Sequence, residues 1–224
     1  MVVVSEPEEV KKILTTQRKQ FPKDEWSYAY FEPILGHGMV TSEGQRWKHS
    51  RDILKDKFHF DSLERLHPIF VGAAKRVCER WRNKRQVELG VEFRTVTLEV
   101  ISEVALGLDP EKAHVLPRIF ETVLDELNQR MFHPWRAFLP LEIEHRRKIK
   151  ELDSMVLEMI RSRRLQQKTG TQVKTEGLKA ANFGGDMLDM ILQADPDMAE
   201  RQVADELKTM LLAGKNDKHH SFEK

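Results

Sequence analysis

In the run GHGMVTSEGQRWKHSR, from Gly36 to Arg51, an indole donor at Trp47 and a guanidinium at Arg51 stand four residues apart. Residues i and i+4 share one face of a helix, so the Trp47 N–H and the Arg51 fork can address a single acceptor. That acceptor should be an anion. A carboxylate or phosphate fits best, because Arg meets planar oxyanions through two parallel hydrogen bonds while Trp donates one more beside an apolar surface. The competing reading is an ordinary amphipathic helix, with Trp47 facing the core and Arg51 extending its stem to water or to an acid. Thr41 and Ser42 are the N-cap candidates for this helix, with Glu43 in its first turn.

The elements that must hold these two side chains read as helical. Val2–Val4 is a short β-branched run, and Ser5-Glu-Pro-Glu-Glu then looks like a capped helix start, with Val10, Ile13 and Leu14 on its apolar face. From Phe21 to Gly38 the pattern is aromatic and broken by prolines and glycines, which predicts structured loop. Asp61 should open a helix with Leu66, Ile69, Phe70, Ala73, Val77 and Trp81 on one side. Phe93–Leu108 repeats that spacing and should stop at Gly107 or at Asp109-Pro110. Leu116–Met131 is another amphipathic helix, and FHPWRAFLPL breaks the pattern before a long helix through IEHRRKIKELDSMVLEMIRSRR. Gln166–Gly185 reads as a polar linker, Asp186–Ala194 as a short helix, and Ala199–Gly214 as the last strong one, with Val203, Leu207, Met210 and Leu211 on one face. There is no internal repeat and no parallel-strand alternation, so the expected class is all-α.

The 224 residues carry 37 basic and 36 acidic side chains, a net charge of +1. No whole-molecule field favours nucleic acid, which excludes it as an expected partner. Hydrophobic residues at 40% with charged residues at 33% suit helices with solvated outer faces. The single cysteine, Cys78, excludes an internal disulfide and a cysteine-rich metal site. No apolar run approaches the ~20 residues that span a bilayer, and Met1–Val10 lacks the features of a signal peptide, so no anchor is visible in this chain.

Taken together, the glycine-flanked loop and Thr-Ser-x-Gly-x-x-Trp-x-x-x-Arg resemble the C helix of cytochrome P450, the haem-thiolate monooxygenases. VVVSEPEEVKKIL is similar to that family's first strand and B helix, FRTVTLEVISEVALGLD to its E helix, and ELKTMLLAG to the first half of its I helix. The resemblance spans Val2 to Gly214 and implies one incomplete domain over residues 1–224, an amino-terminal half with a divergent tail at 215–224. It implies that Trp47 and Arg51 hold a haem propionate, and that Ala213 and Gly214 match the Ala-Gly that opens the distal haem face. The family's Cys-ligand loop and Glu-x-x-Arg are missing, and Lys215, Asn216 and Asp217 replace the expected acid and Thr of the proton relay. The implied activity is hydroxylation of a hydrophobic small molecule with dioxygen and electrons from an NADPH-dependent reductase, with this chain inactive by itself. A membrane helix preceding Met1 and an endoplasmic reticulum setting belong to the same implication. A non-catalytic helical interaction protein, or a truncated isoform with such a role, is the alternative.

The remaining candidates have weaker chemistry. Cys78 lies within a predicted helix without flanking glycines, so it is read as a buried or half-buried small hydrophobe rather than an iron ligand. His219 and His220 are adjacent and diverge on a helix, which makes a poor metal pair. Gly36-x-Gly38 lacks the third glycine of a dinucleotide loop. By family position FHPWRAFLPL is where substrate enters and where peripheral membrane contact would occur; a packed helix connection is the equal alternative. The basic run from Arg146 to Lys150 is interleaved with acids and reads as a solvated face.

Overall fold

Helices form wherever the three-and-four-residue apolar spacing runs unbroken. The computed structural model describes residues 2–24, 28–55, 60–109, 115–170 and 185–214, and all regular structure among them is helical, as an all-α chain requires. Helix α1, Pro7–Leu14, has Pro7 in its first turn with Glu8 and Glu9 beside it, but its N-cap is Glu6 and not Ser5. Val2–Val4 makes no strand. Its residues are exposed, and no strand among the described residues offers the hydrogen-bonding partner a ladder needs. A 3-10 turn at Arg18–Gln20 follows.

The aromatic stretch is more ordered than its composition suggests. Helix α2, Glu32–Leu35, buries Ile34 and Leu35 completely; Trp26 lies outside the described residues. Helix α3, Gly44–Leu54, carries Trp47 and Arg51. The single helix expected from Asp61 is two, α4 at Phe60–Glu64 and α5 at His67–Trp81. Pro68 explains the break, because it lacks an N–H and its ring collides with the preceding turn, so a helix restarts there instead of passing through.

Helix α6, Leu89–Leu106, ends on Gly107 in the left-handed region at φ 63, the first of the two expected stops. Helix α7, Val115–Phe132, a 3-10 turn at Pro134–Phe138 and the 29-residue α8, Leu141–Thr169, come next. Helix α9, Met187–Ala194, is capped by the Asp186 carboxylate, which accepts from the Asp189 N–H at 2.8 Å. Helix α10 runs over Glu200–Gly214. The predicted linker begins later than its polarity implied, since α8 continues through Thr169, and residues 171–184 lie outside the described residues, as does the tail at 215–224.

Helix α10 is the axis of the assembly. It packs on α6, α8, α9 and α2, and every residue from Val203 to Leu211 is buried. Burial on all sides includes the polar residues Asp205, Glu206 and Lys208, beyond the one apolar face the sequence predicts. Lys208 is fully buried, with Nζ 2.8 Å from Asp153 Oδ1 on α8 and 3.4 Å from Asp205 Oδ1. A lysine in that position must be paired, since an isolated ammonium in such surroundings would be strongly destabilising.

Candidate functional site

The path to Trp47 and Arg51 starts on α10. Ser50 Oγ donates to Glu206 Oε1 at 2.6 Å, the Met39 N–H donates to Glu206 Oε2 at 3.0 Å, and the His37 N–H donates to Asp205 Oδ2 at 3.0 Å. Two consecutive acids of α10 thus hold both the loop 36–39 and α3. Burial pushes the Glu206 carboxyl up, opposed by the hydrogen bonds from Ser50 and Met39.

The Gly36-x-Gly38 pair finds its purpose here. A side chain on Gly36, whose φ is 55, would run into the Asp205 carboxylate; one on Gly38 would meet Thr209 Oγ1 and come within 2.5 Å of the Asp205 carbonyl oxygen. Gly36 makes room for the Asp205 carboxylate and Gly38 for the Asp205 backbone, a packing role consistent with their failure to fit a dinucleotide loop.

Neither Thr41 nor Ser42 caps α3. Its N-cap is Glu43, whose side chain turns outward and accepts from the Lys23 N–H at 2.6 Å. Thr41 Oγ1 is engaged with the Gly36 and Gly38 carbonyls at 2.7 and 3.1 Å, and the buried Ser42 Oγ has no hydrogen-bond partner. Lys23 Nζ binds the Val40 and Ser42 carbonyls at 2.6 and 2.7 Å, so the chain leading out of the Arg18 turn is fastened to the start of α3. Burial lowers the Lys23 ammonium, with Glu43 opposing and Arg18 reinforcing that shift.

With Ser50 turned to α10, Trp47 and Arg51 occupy the adjoining face of α3. Trp47 is half-buried and Arg51 is exposed, its guanidinium 5.3 Å from the Trp47 ring centroid. A second guanidinium, that of Arg18, sits over the same ring at 4.6 Å. Among the described residues no carboxylate pairs with either Arg18 or Arg51. The Trp47 N–H likewise has no partner there. Among the described residues, the Arg18 and Arg51 guanidiniums thus lie beside the same indole without a carboxylate partner.

Ala213 and Gly214 lie about 12 Å further along α10 from Glu206, at 1.5 Å per residue, and touch neither Trp47 nor Arg51. Ala213 is exposed. Gly214 is close-packed, since a Cβ there would stand 2.5 Å from Ile101 Cγ2 on α6. Its missing side chain thus lets two helices meet, a reason that periodicity does not reveal.

Cys78 departs from expectation: it is exposed. The buried stripe of α5 is Ile69, Ala73 and Val77, and Cys78 follows Val77 by one residue, about 100° around the helix. It sits mid-helix with no loop of amides around its sulfur, so it does not fit the role of haem thiolate. His219 and His220 lie outside the described residues, and among those residues no group of three or more His, Cys, Asp or Glu side chains could hold a metal. A second polar centre, invisible to spacing rules, joins Arg163 of α8 to Asp186 and to Asp189, the latter at 2.8 Å. No helix is long and apolar enough to cross a membrane among the described residues.

The fold is thus a bundle of helices packed around α10, with the Trp47 indole and the Arg51 guanidinium on the neighbouring helix α3. The sequence model of the family described as Cytochrome P450 matches residues 1–216, and the chain belongs to that family. It is 24% identical to a probable cytochrome P450 4e1 of Drosophila melanogaster, over 95% of this chain and 43% of the relative, and 26% identical to cytokinin hydroxylase of Arabidopsis thaliana, over 94% and 42%. A stretch covering 47% of the chain is 29% identical to an ultra-long-chain fatty acid omega-hydroxylase of Homo sapiens. A crystal structure of a cytochrome P450 (CYP102L1) superposes with a TM-score of 0.63 at 20% identity, over 84% of this chain and 41% of that one. The chain therefore spans well under half the length of the relatives it matches along most of its length.

Proposed function

We propose that the chain is a single incomplete domain over residues 1–224, its tail at 215–224 divergent in sequence, forming the amino-terminal portion of a haem-dependent monooxygenase acting on a hydrophobic organic molecule. The observation that carries this reading is the Trp47 and Arg51 pair, set on the helix that the family uses to hold a haem propionate and paired with no acid among the described residues. Trp47 would donate its N–H and Arg51 its fork to a propionate. Ala213 and Gly214 would border the distal face, with the exposed methyl of Ala213 as the nearer contact. When bound, haem supplies the activation of dioxygen, with electrons delivered by an NADPH-dependent reductase.

The chain's own residues account for only part of that chemistry. Cys78 does not fit as the thiolate, so the isolated chain is proposed to be inactive and to depend on an iron ligand from elsewhere. The relatives are named for a cytokinin and for an ultra-long-chain fatty acid, and the substrate is proposed only as an apolar organic compound. Phe132, Trp135, Phe138, Leu139 and Ile143 are exposed around the second 3-10 turn, in keeping with peripheral contact at a membrane such as the endoplasmic reticulum. The same exposed side chains favour the second reading, a non-catalytic helical protein that docks a partner.

Titration of the purified chain with haemin, followed by reduction and carbon monoxide, tests the proposal. Saturable one-to-one binding that Arg51→Ala weakens, with a carbonyl band not of the thiolate type, is the expected result. A thiolate-type band would overturn the proposed inactivity, and binding indifferent to Arg51 would overturn the propionate role.

A further inference from the structure

His145 lies on the side of α8 that carries Leu152, Val156 and Ile160 into the core, and it is only 6% exposed. Its imidazole borders a cavity of about 260 Å³ where α7 and α8 face each other, with Thr122, Glu126 and Gln129 on one wall and Leu141 and Glu144 on the other. No hydrogen bond to the His145 ring forms among the described residues, although a polar ring buried to that degree ordinarily has one. The other polar groups are engaged elsewhere. Glu126 accepts from Arg130 at 3.0 Å and from Arg136 at 2.6 Å, Glu144 accepts from Arg147 at 2.9 Å, and Thr122 donates to the Arg118 carbonyl at 2.8 Å. Drawn to these partners, they leave a largely apolar wall. Burial holds the His145 imidazole below its usual range; Arg130 reinforces the shift, Glu126 and Glu142 oppose it, and Lys148 adds to it. The ring is therefore neutral near pH 7, with one nitrogen to accept and the other to donate.

We propose that this cavity is a binding site for a small uncharged molecule with an apolar body and one hydroxyl, the hydroxyl donating to the His145 ring. Charge of either sign is disfavoured there. An ammonium would face Lys148 and the Arg130 guanidinium, and an anion would face Asp125, Glu126 and Glu144. The Gln129 amide, without a side-chain partner among the described residues, lies on the same wall and can donate to the hydroxyl oxygen. The volume suits a molecule of single-ring size, at the lower end of ligand cavities. An ordered water could supply the missing hydrogen bond, but the apolar wall leaves it few further partners. A bound molecule would tie α7 to α8. The inference does not rest on the role proposed for Trp47 and Arg51.

Phenol is the probe, titrated into the purified full chain at neutral pH and followed by NMR through its own line broadening and through the ring resonances of isotope-labelled histidine. Benzene, benzylamine and benzoate are the controls. Saturable phenol binding that moves the His145 resonance, with benzene about tenfold weaker and neither charged probe competing, is the expected result. His145→Phe keeps an aromatic ring and should weaken phenol about tenfold while leaving benzene unchanged. Leu141→Trp fills the cavity from its exposed edge without altering His145 and should abolish both, which keeps the test decisive if the first variant misfolds; circular dichroism reports the fold of each. If phenol does not saturate, an ordered water alone satisfies His145 and the inference fails. Equal binding of phenol and benzene would overturn the role of the hydroxyl, and tighter binding of benzylamine or benzoate would overturn the uncharged class.

Discussion

Ser50 Oγ on α3 donates to Glu206 Oε1 on α10 at 2.6 Å, and both residues are almost fully buried. This one contact ties the helix bearing the candidate site to the central helix of the fold. Arg46 of the same helix adds a guanidinium 3.8 Å from Asp205 Oδ2, and His49 meets Asp195 Oδ2 at 3.0 Å.

Ser50→Ala should therefore be felt as a loss of stability. It leaves a buried carboxylate with the Met39 N–H as its remaining hydrogen bond, at a cost of about 1–3 kcal/mol. Urea denaturation followed by circular dichroism would register this as a lower midpoint. An unchanged midpoint would mean that α3 is held chiefly by Leu54 and its apolar neighbours.

Gly214→Ala should force α10 away from α6, because the new methyl would overlap Ile101. Overpacking of this kind costs about 1–3 kcal/mol. Adding Ile101→Ala should recover part of the loss, so the double variant is expected to be more stable than the sum of the two single changes. Strict additivity in this cycle would remove Ile101 as the reason for glycine at this position.

The Asp186 carboxyl gives the chain a pH dependence. Burial pushes it up to about 6, against the pull of Arg163, while Asp189 adds like-charge repulsion. The ordinary aspartate value is about 3.9, so between about pH 4 and 6 the folded chain holds a proton that the unfolded chain has released. Stability from this group is thus present at low pH and lost as pH rises through that window, by at most about 3 kcal/mol. Asp186→Asn keeps a capping side chain for α9 and should flatten this part of the profile. Urea midpoints at pH 4.5 and 7 in both chains check it; an unaltered slope in the variant would assign the dependence to other carboxyls.

Phe138 is 90% exposed in the turn between α7 and α8. Phe138→Glu should leave the unfolding midpoint within about 0.5 kcal/mol of its original stability, as surface substitutions do. If this segment meets a bilayer, the same change should reduce co-sedimentation with phosphatidylcholine vesicles several-fold. Equal sedimentation of the two chains would count against membrane contact here.

What the sequence determined by itself is local. Apolar side chains at three- and four-residue intervals specify helices because the helical repeat puts them on one side, and α6, α7, α8, α9 and α10 follow from that rule. Gly107 and Asp186 mark ends because a left-handed residue and a capping carboxylate act on backbone atoms close by in the chain. Trp47 and Arg51 share a face for the same reason. Tertiary structure decided whatever depends on residues distant in sequence. Asp205, Glu206 and Lys208 look like a solvated helix face until α2, α3 and α8 close around them, and Cys78 looks buried until the rotation of α5 turns it outward. Gly36, Gly38 and Gly214 declare their purpose only where another helix comes within reach of a missing methyl. Arg18 reaches Trp47 only because Lys23 folds its turn onto α3, a coupling for which no periodic signal exists, since loop geometry is set by the partners it finds and not by the spacing of its own side chains.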